Sequence, residues 1–140
     1  MNMHELELIN PNCNEYPENF NSGQFSKNAN SFLLALNSAF KCLFKLDLSI
    51  QDSTHGAEIR FPENLIIGVG AMNPCLRLSN FCGLYTITMQ ARISNETESA
   101  IMKIAEQLNY RYVPESVFGV SFEKMNRVDG GLFNKLFDYT

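Results

Sequence analysis

Histidine is scarce in this chain: its 140 residues include only His4 and His55. The side chain that most often serves as a general base near neutral pH therefore has two chances to act. His4 falls in a short alternating segment, and His55 lies in "DSTHG" beside Asp52, Ser53 and Thr54. A polar turn needs just these residue types, because they bond their own backbone, so no catalytic triad is read there. Metal-ligand spacing is missing too. No Cys-x-x-Cys or His-x-x-x-His occurs, and six residues separate Cys75 from Cys82. "IIGVGAMNP" holds a lone Gly-x-Gly without the third glycine and following helix of a dinucleotide fingerprint. A buried strand with close backbone approach is the expectation for Gly68 and Gly70. There is no phosphate loop and no Gly-x-Ser-x-Gly elbow. The sequence thus predicts a protein that is not an enzyme, with no catalytic residues, no metal and no cofactor.

Basic residues are also few: 11 Lys and Arg against 15 Asp and Glu, a formal net charge of −4. Nucleic-acid binding needs clustered cations for phosphate, which argues against it here. Arg111 between Tyr110 and Tyr112 is the one local hint of a base-stacking surface, and it is isolated. The start, "MNMHELELIN", has neither a basic segment nor an apolar core of a secretory signal. No run approaches the roughly 18 apolar residues of a membrane span. In a chain of this size the four cysteines, Cys13, Cys42, Cys75 and Cys82, read as free thiols in a reducing compartment. A cytoplasmic protein without membrane or nucleic-acid partners is the expectation.

What is present suits one globular domain over 1–140, with 45% apolar and 19% charged residues. "HELELI" alternates as a short edge strand, and the Asn- and Pro-rich "NPNCNEYPENFNSG" reads as loop. Residues 1–26 form an acidic arm, with Glu5, Glu7, Glu15 and Glu18 and no Lys or Arg. "SKNANSFLLALNSAFKCLFKLDL" predicts a long helix whose apolar face carries Phe32, Leu36, Ala39, Phe40, Leu43 and Phe44. "AEIRF" alternates as a strand closed by Pro62, and "NLIIGVG" reads as a strand covered on both faces. "NPCLRLSN" reads as an irregular crossing. "GLYTITMQARI" predicts a strand with Tyr85, Ile87, Met89, Ala91 and Ile93 on one side, and the opposite sheet face at least partly wet. "NETESAIMKIAEQLN" predicts a helix capped by Asn95 with Glu98 three positions on, and Asn109 as its stop. "YRYVPE" is extended and "SVFGVSFEK" a short strand. Together these predict an α+β fold: a mainly antiparallel sheet of about four or five strands packed against two or three helices.

The end of the chain, 129–140, reads "DGGLFNKLFDYT". As a helical tail it places Leu132, Phe133, Leu136 and Phe137 on one face, with Asn134, Lys135 and Asp138 opposite. Folding back onto the sheet is the expectation, since burying one Phe side chain is worth about 1.5–3 kcal/mol.

From Asn95 to Thr140 the elements "IAEQLNYRYVPE", "FEKMNRVDGG" and the terminal aromatic "KLFDY" resemble the C-terminal part of small immunity proteins of bacterial toxin–immunity systems, including contact-dependent growth inhibition. Those proteins often carry a Trp near the tail; this chain has none, and Phe133 stands in that neighbourhood. The resemblance covers about a third of the chain. It implies a non-enzymatic protein that binds a cognate toxin domain and blocks its active site or substrate surface. A small acidic chain also suits docking onto a basic nuclease-type toxin, where complementary charge raises the association rate. The residues expected to make that contact are Glu15 and Glu18 of the acidic arm and the turn acids Asp52 and Asp129. The alternative is a dimeric acidic secretion chaperone that holds an effector segment along apolar grooves. Reversing the charge of Glu15 and Glu18 together is expected to slow association with the toxin in stopped-flow or surface-binding kinetics; an unchanged on-rate removes both from the contact.

Overall fold

A computed structural model of the chain describes residues 20–50, 55–70, 72–81, 83–114 and Phe137. The expected edge strand in "HELELI", the acidic arm to Glu18, Asp52 and Asp129 lie outside the described residues, as does the expected strand "SVFGVSFEK". Of the tail, Phe137 alone is described.

Helix α1 spans Ser22–Phe40. It begins where the Asn21 side chain accepts from the Gln24 amide, satisfying one of the free N–H groups of the first turn. Ala29, Phe32 and Leu36 recur at helical spacing and are buried. The helix stops earlier than the apolar pattern predicts, because Lys41 turns left-handed (φ 55°) and closes the last turn through its N–H to the Asn37 carbonyl. The Asn37 side chain then accepts from the Phe44 amide at 2.7 Å and directs the chain into a strand. Phe44 is buried beyond the helix, while Leu43, expected on the apolar face, points outward.

Five strands follow: β1 (Lys45–Asp47), β2 (His55–Arg60), β3 (Cys75–Ser79), β4 (Leu84–Thr88) and β5 (Arg111–Tyr112). They lie in the order β1-β2-β3-β4-β5, antiparallel except for the final parallel pair β4/β5. The parallel step requires a crossover, and helix α2 (Asn95–Gln107) supplies it. Its N-cap is Ser94, whose hydroxyl accepts from the Thr97 amide; Asn95, the expected cap, is already the first helical residue. Ile101 and Ala105 face inward, and Asn109 ends the helical region in a left-handed turn (φ 64°). The chain is an α+β fold with a mostly antiparallel five-stranded sheet.

The register sets two faces. Ala57, Ile59, Leu76, Leu78, Tyr85 and Ile87 share one face and pack with Phe32, Leu36 and Phe44. Tyr85 is fully buried there, stacked on Tyr112 at 5.0 Å and edge-on to Phe32 at 5.6 Å. Tyr110 packs against Phe32 at 5.0 Å, so the tyrosines flanking Arg111 belong to the core rather than to a base-stacking surface.

The second face corrects the expectation of a wet surface. Every residue of β3 and β4 is buried. Glu58, Arg77 and Thr86 are cross-strand neighbours on this face. Arg77 donates to the Phe137 carbonyl at 2.9 Å, so the tail's single described residue sits over the polar face. Phe137 is itself fully buried.

Three other expectations are overturned. "NPCLRLSN" contains the central strand β3; Pro74 and Asn73 precede it, and Arg77 is tolerated inside because its cross-strand neighbour on the same face is Glu58. "NLIIGVG" is not a strand: its first two residues end the 3₁₀ turn Glu63–Leu65, and an exposed loop follows with Gly68 in a left-handed conformation (φ 74°) and open space around it. The long strand read from Gly83 to Ile93 stops at Thr88, because Met89 turns left-handed (φ 55°) and Gln90–Arg92 forms a 3₁₀ turn.

Phe137→Ala is expected to lower stability by about 3–5 kcal/mol, read from chemical denaturation. A loss below about 0.5 kcal/mol, the range of ordinary surface changes, would contradict a tail packed on the sheet.

Candidate partner-binding surface

On the polar face of the sheet an irregularity between His55 and Ala57 shifts the side-chain alternation of β2. It brings the fully buried His55 Nε2 to 3.0 Å from Glu58 Oε1. The Arg77 guanidinium lies 3.9 Å from the same carboxylate. His55 is thus a strand residue of a buried polar cluster and not a member of an open turn. Glu58, the acidic residue of "AEIRF", sits inside that cluster. Gly56 permits the packing beside it: a Cβ there would stand 2.5 Å from Asn80 Oδ1 and 2.8 Å from the Phe25 ring. A cluster of this kind fits a structural role, because removing one partner of a buried charge pair leaves the other uncompensated.

Beside the cluster a cleft of about 720 Å³ opens between Leu43, Lys45, Arg60 and Met72, with Cys75 and Thr88 among its walls. Its one thiol is not poised to react. Burial pushes the Cys75 thiol up from its ordinary pKa, and the nearby Glu58 carboxylate adds to the effect. Cys75 Sγ lies 3.3 Å from Thr88 Oγ1. Arg60 meets Asp47 at 3.4 Å in an exposed pair worth little. Asp47 is held more firmly by Ser49, whose hydroxyl and amide both donate to Oδ1 and lower the carboxyl's pKa. No group of three or more His, Cys, Asp and Glu among the described residues could hold a metal ion. No helix among the described residues is long and apolar enough to cross a membrane.

The feature that composition and periodicity did not reveal lies next to this cleft, in residues 66–73. Arg92 holds that loop through several groups at once. Its guanidinium donates to the carbonyls of Ile67 (3.3 Å), Gly68 (2.9 Å) and Met72 (2.5 Å), and to Asn73 Oδ1 (3.4 Å). The loop answers in kind: the Ile67 amide donates to the Arg92 carbonyl at 2.7 Å. Gly70 is small enough for the guanidinium to lie against it, since a Cβ there would be 3.2 Å from Arg92 Nη1. With its backbone tied inward, the loop turns its apolar side chains out. Val69 is fully exposed at 102%, Ile67 at 53% and Met72 at 46%, and Leu43 across the cleft is 74% exposed. Large apolar side chains grouped on a tethered segment are what a protein contact uses. Arg92 gives no local sequence signal for this, because its partners are backbone carbonyls some twenty residues upstream.

The expected contact residues Glu15, Glu18, Asp52 and Asp129 all lie outside the described residues. The described part contains Lys27, Lys41, Lys45, Arg60, Arg77, Arg92, Lys103 and Arg111, against Asp47, Glu58, Glu63, Glu96, Glu98 and Glu106. The excess of acid in the whole chain is therefore carried by the remaining residues.

Arg92→Ala is expected to raise the rate of proteolytic cleavage within residues 66–73 severalfold and to lower stability by about 1–3 kcal/mol. Arg92→Lys keeps the charge but cannot span separate carbonyls, so it should resemble Ala. Unchanged cleavage in both variants would remove Arg92 as the loop's tether. Compared with known proteins the chain stands apart: no family model, no curated protein and no solved structure matches it.

Proposed function

We propose that this chain is a non-enzymatic immunity protein that binds a cognate bacterial toxin domain and blocks its active site. The observation that carries the binding role is the Arg92-tethered loop with Ile67, Val69 and Met72 turned to solvent. Ordering a loop before binding removes part of the conformational entropy lost on association, so these side chains can contribute more of their burial to affinity. The titratable residues nearby are engaged otherwise: His55, Glu58 and Arg77 with one another, and Cys75 as a buried protonated thiol. That favours binding over chemistry.

The toxin-neutralising reading adds the resemblance of the last third of the chain and the acidic arm to this surface. In this reading the loop supplies the apolar centre of the contact. Glu15, Glu18, Asp52 and Asp129 supply the charge that steers a basic nuclease-type domain toward it.

The test is co-expression with the protein encoded directly upstream of this gene, the position the proposal expects for a cognate toxin. The wild-type chain should restore growth and form a 1:1 complex. Val69→Asp, at a fully exposed position, should weaken that complex at least about tenfold with the fold unchanged, since one charge buried at an apolar contact costs well over 1.4 kcal/mol. Failure to protect, or protection and affinity untouched by Val69→Asp, would contradict the proposal. A dimer that retains an unfolded effector segment instead would identify the secretion chaperone.

A further inference from the structure

A second cleft, of about 500 Å³, opens where the start of α1 meets the end of α2 and shares no residue with the Arg92 loop. Its polar lining is made of side-chain amides: Asn21, Gln24 and Asn28 from the first turns of α1, Asn80 after β3, and Asn109 after α2. Helical spacing puts the first three on one face, and Asn109, in its left-handed turn, lines the same cleft. Phe20 and Phe25, 5.5 Å apart and tilted by 48°, supply the apolar wall. No described residue of this lining carries a formal charge.

The hydrogen bonds within the lining leave a mixed set of donors and acceptors toward the cleft. Asn21 uses its oxygen to accept from the Gln24 amide, and Gln24 uses its nitrogen to donate to Asn28 Oδ1 at 2.8 Å. The Asn21 and Asn28 NH₂ groups therefore remain as donors and the Gln24 carbonyl as an acceptor. One further polar side chain, Ser79, lines the cleft and is buried together with Asn80.

We propose that this cleft binds a neutral saccharide. Sugar hydroxyls both donate and accept, which matches amide NH₂ and C=O groups set side by side. The C–H face of a pyranose packs on an aromatic ring such as Phe25, and the volume is in the range of small-molecule sites. A phosphorylated ligand would need cations and an amine would need carboxylates; the described residues of this lining offer neither. Orientation is set by the amides and affinity by the aromatic wall.

The test is a titration of ¹⁵N-labelled protein with glucose, N-acetylglucosamine and maltose, followed by amide chemical shifts. Glucose 6-phosphate and adenosine serve as comparisons. At least one neutral sugar should move the side-chain NH₂ signals of Asn21 and Asn28 at about millimolar concentration, with glucose 6-phosphate binding no more tightly than glucose. The double variant Gln24→Ala with Asn28→Ala, both exposed positions, should weaken the sugar affinity read at the Asn21 NH₂ signal about tenfold while the remaining spectrum is preserved. No response to the three sugars, a response unchanged in the variant, or a response to adenosine alone would overturn the proposal.

Discussion

A guanidinium in the middle of a fully buried strand must be met by negative charge and by carbonyl oxygen, and Arg77 imposes that requirement on distant parts of the chain. Glu58 comes from the neighbouring strand, and the Phe137 carbonyl comes from the tail sixty residues on. His55 joins the same carboxylate through the irregularity in β2. Removing any of these groups would leave charge in a medium that solvates it poorly, so the cluster ties strand register and tail position to one local condition. The sheet can then be covered on both faces: an aromatic and aliphatic face under α1 and α2, and a polar face closed in part by the end of the chain.

Much of this architecture could be read from residue spacing. The buried positions Phe32 and Leu36 of α1 and Ile101 and Ala105 of α2, the strand in "AEIRF" and the extended start of "YRYVPE" follow from period and from the size of the side chains, whereas Ala39 and Leu43, expected on the same apolar face, are exposed. The errors share a cause. Strand β3 was hidden because Arg77 breaks its apolar pattern, and only the cross-strand partner explains why a charge is tolerated there. "NLIIGVG" looked like a buried strand because a continuous apolar run cannot be distinguished from an exposed, externally tethered loop by periodicity. The alternation from Tyr85 to Ile93 continued past the strand because side-chain pattern says nothing about the left-handed turn at Met89. In each case the deciding interaction is made with backbone or with a residue far along the chain.

The proposed binding surface depends on the same kind of contact. That turn at Met89 and the 3₁₀ turn after it aim Arg92 at the loop, and the loop's carbonyls gather on the guanidinium. The sequence break that ends β4 therefore builds the tether that holds Ile67, Gly68, Met72 and Asn73. The acidic residues expected at a contact lie outside the described residues, whose own charge is slightly basic, so the proposed function places apolar contact and electrostatic steering in different segments of the chain.

The central claim is that Arg92 holds an apolar loop in one conformation before any partner arrives. Backbone ¹⁵N relaxation of the free protein tests it most directly. Order parameters of about 0.85 for residues 66–73, as in the strands, are the expected result; values below about 0.6 would show a flexible loop and contradict the account.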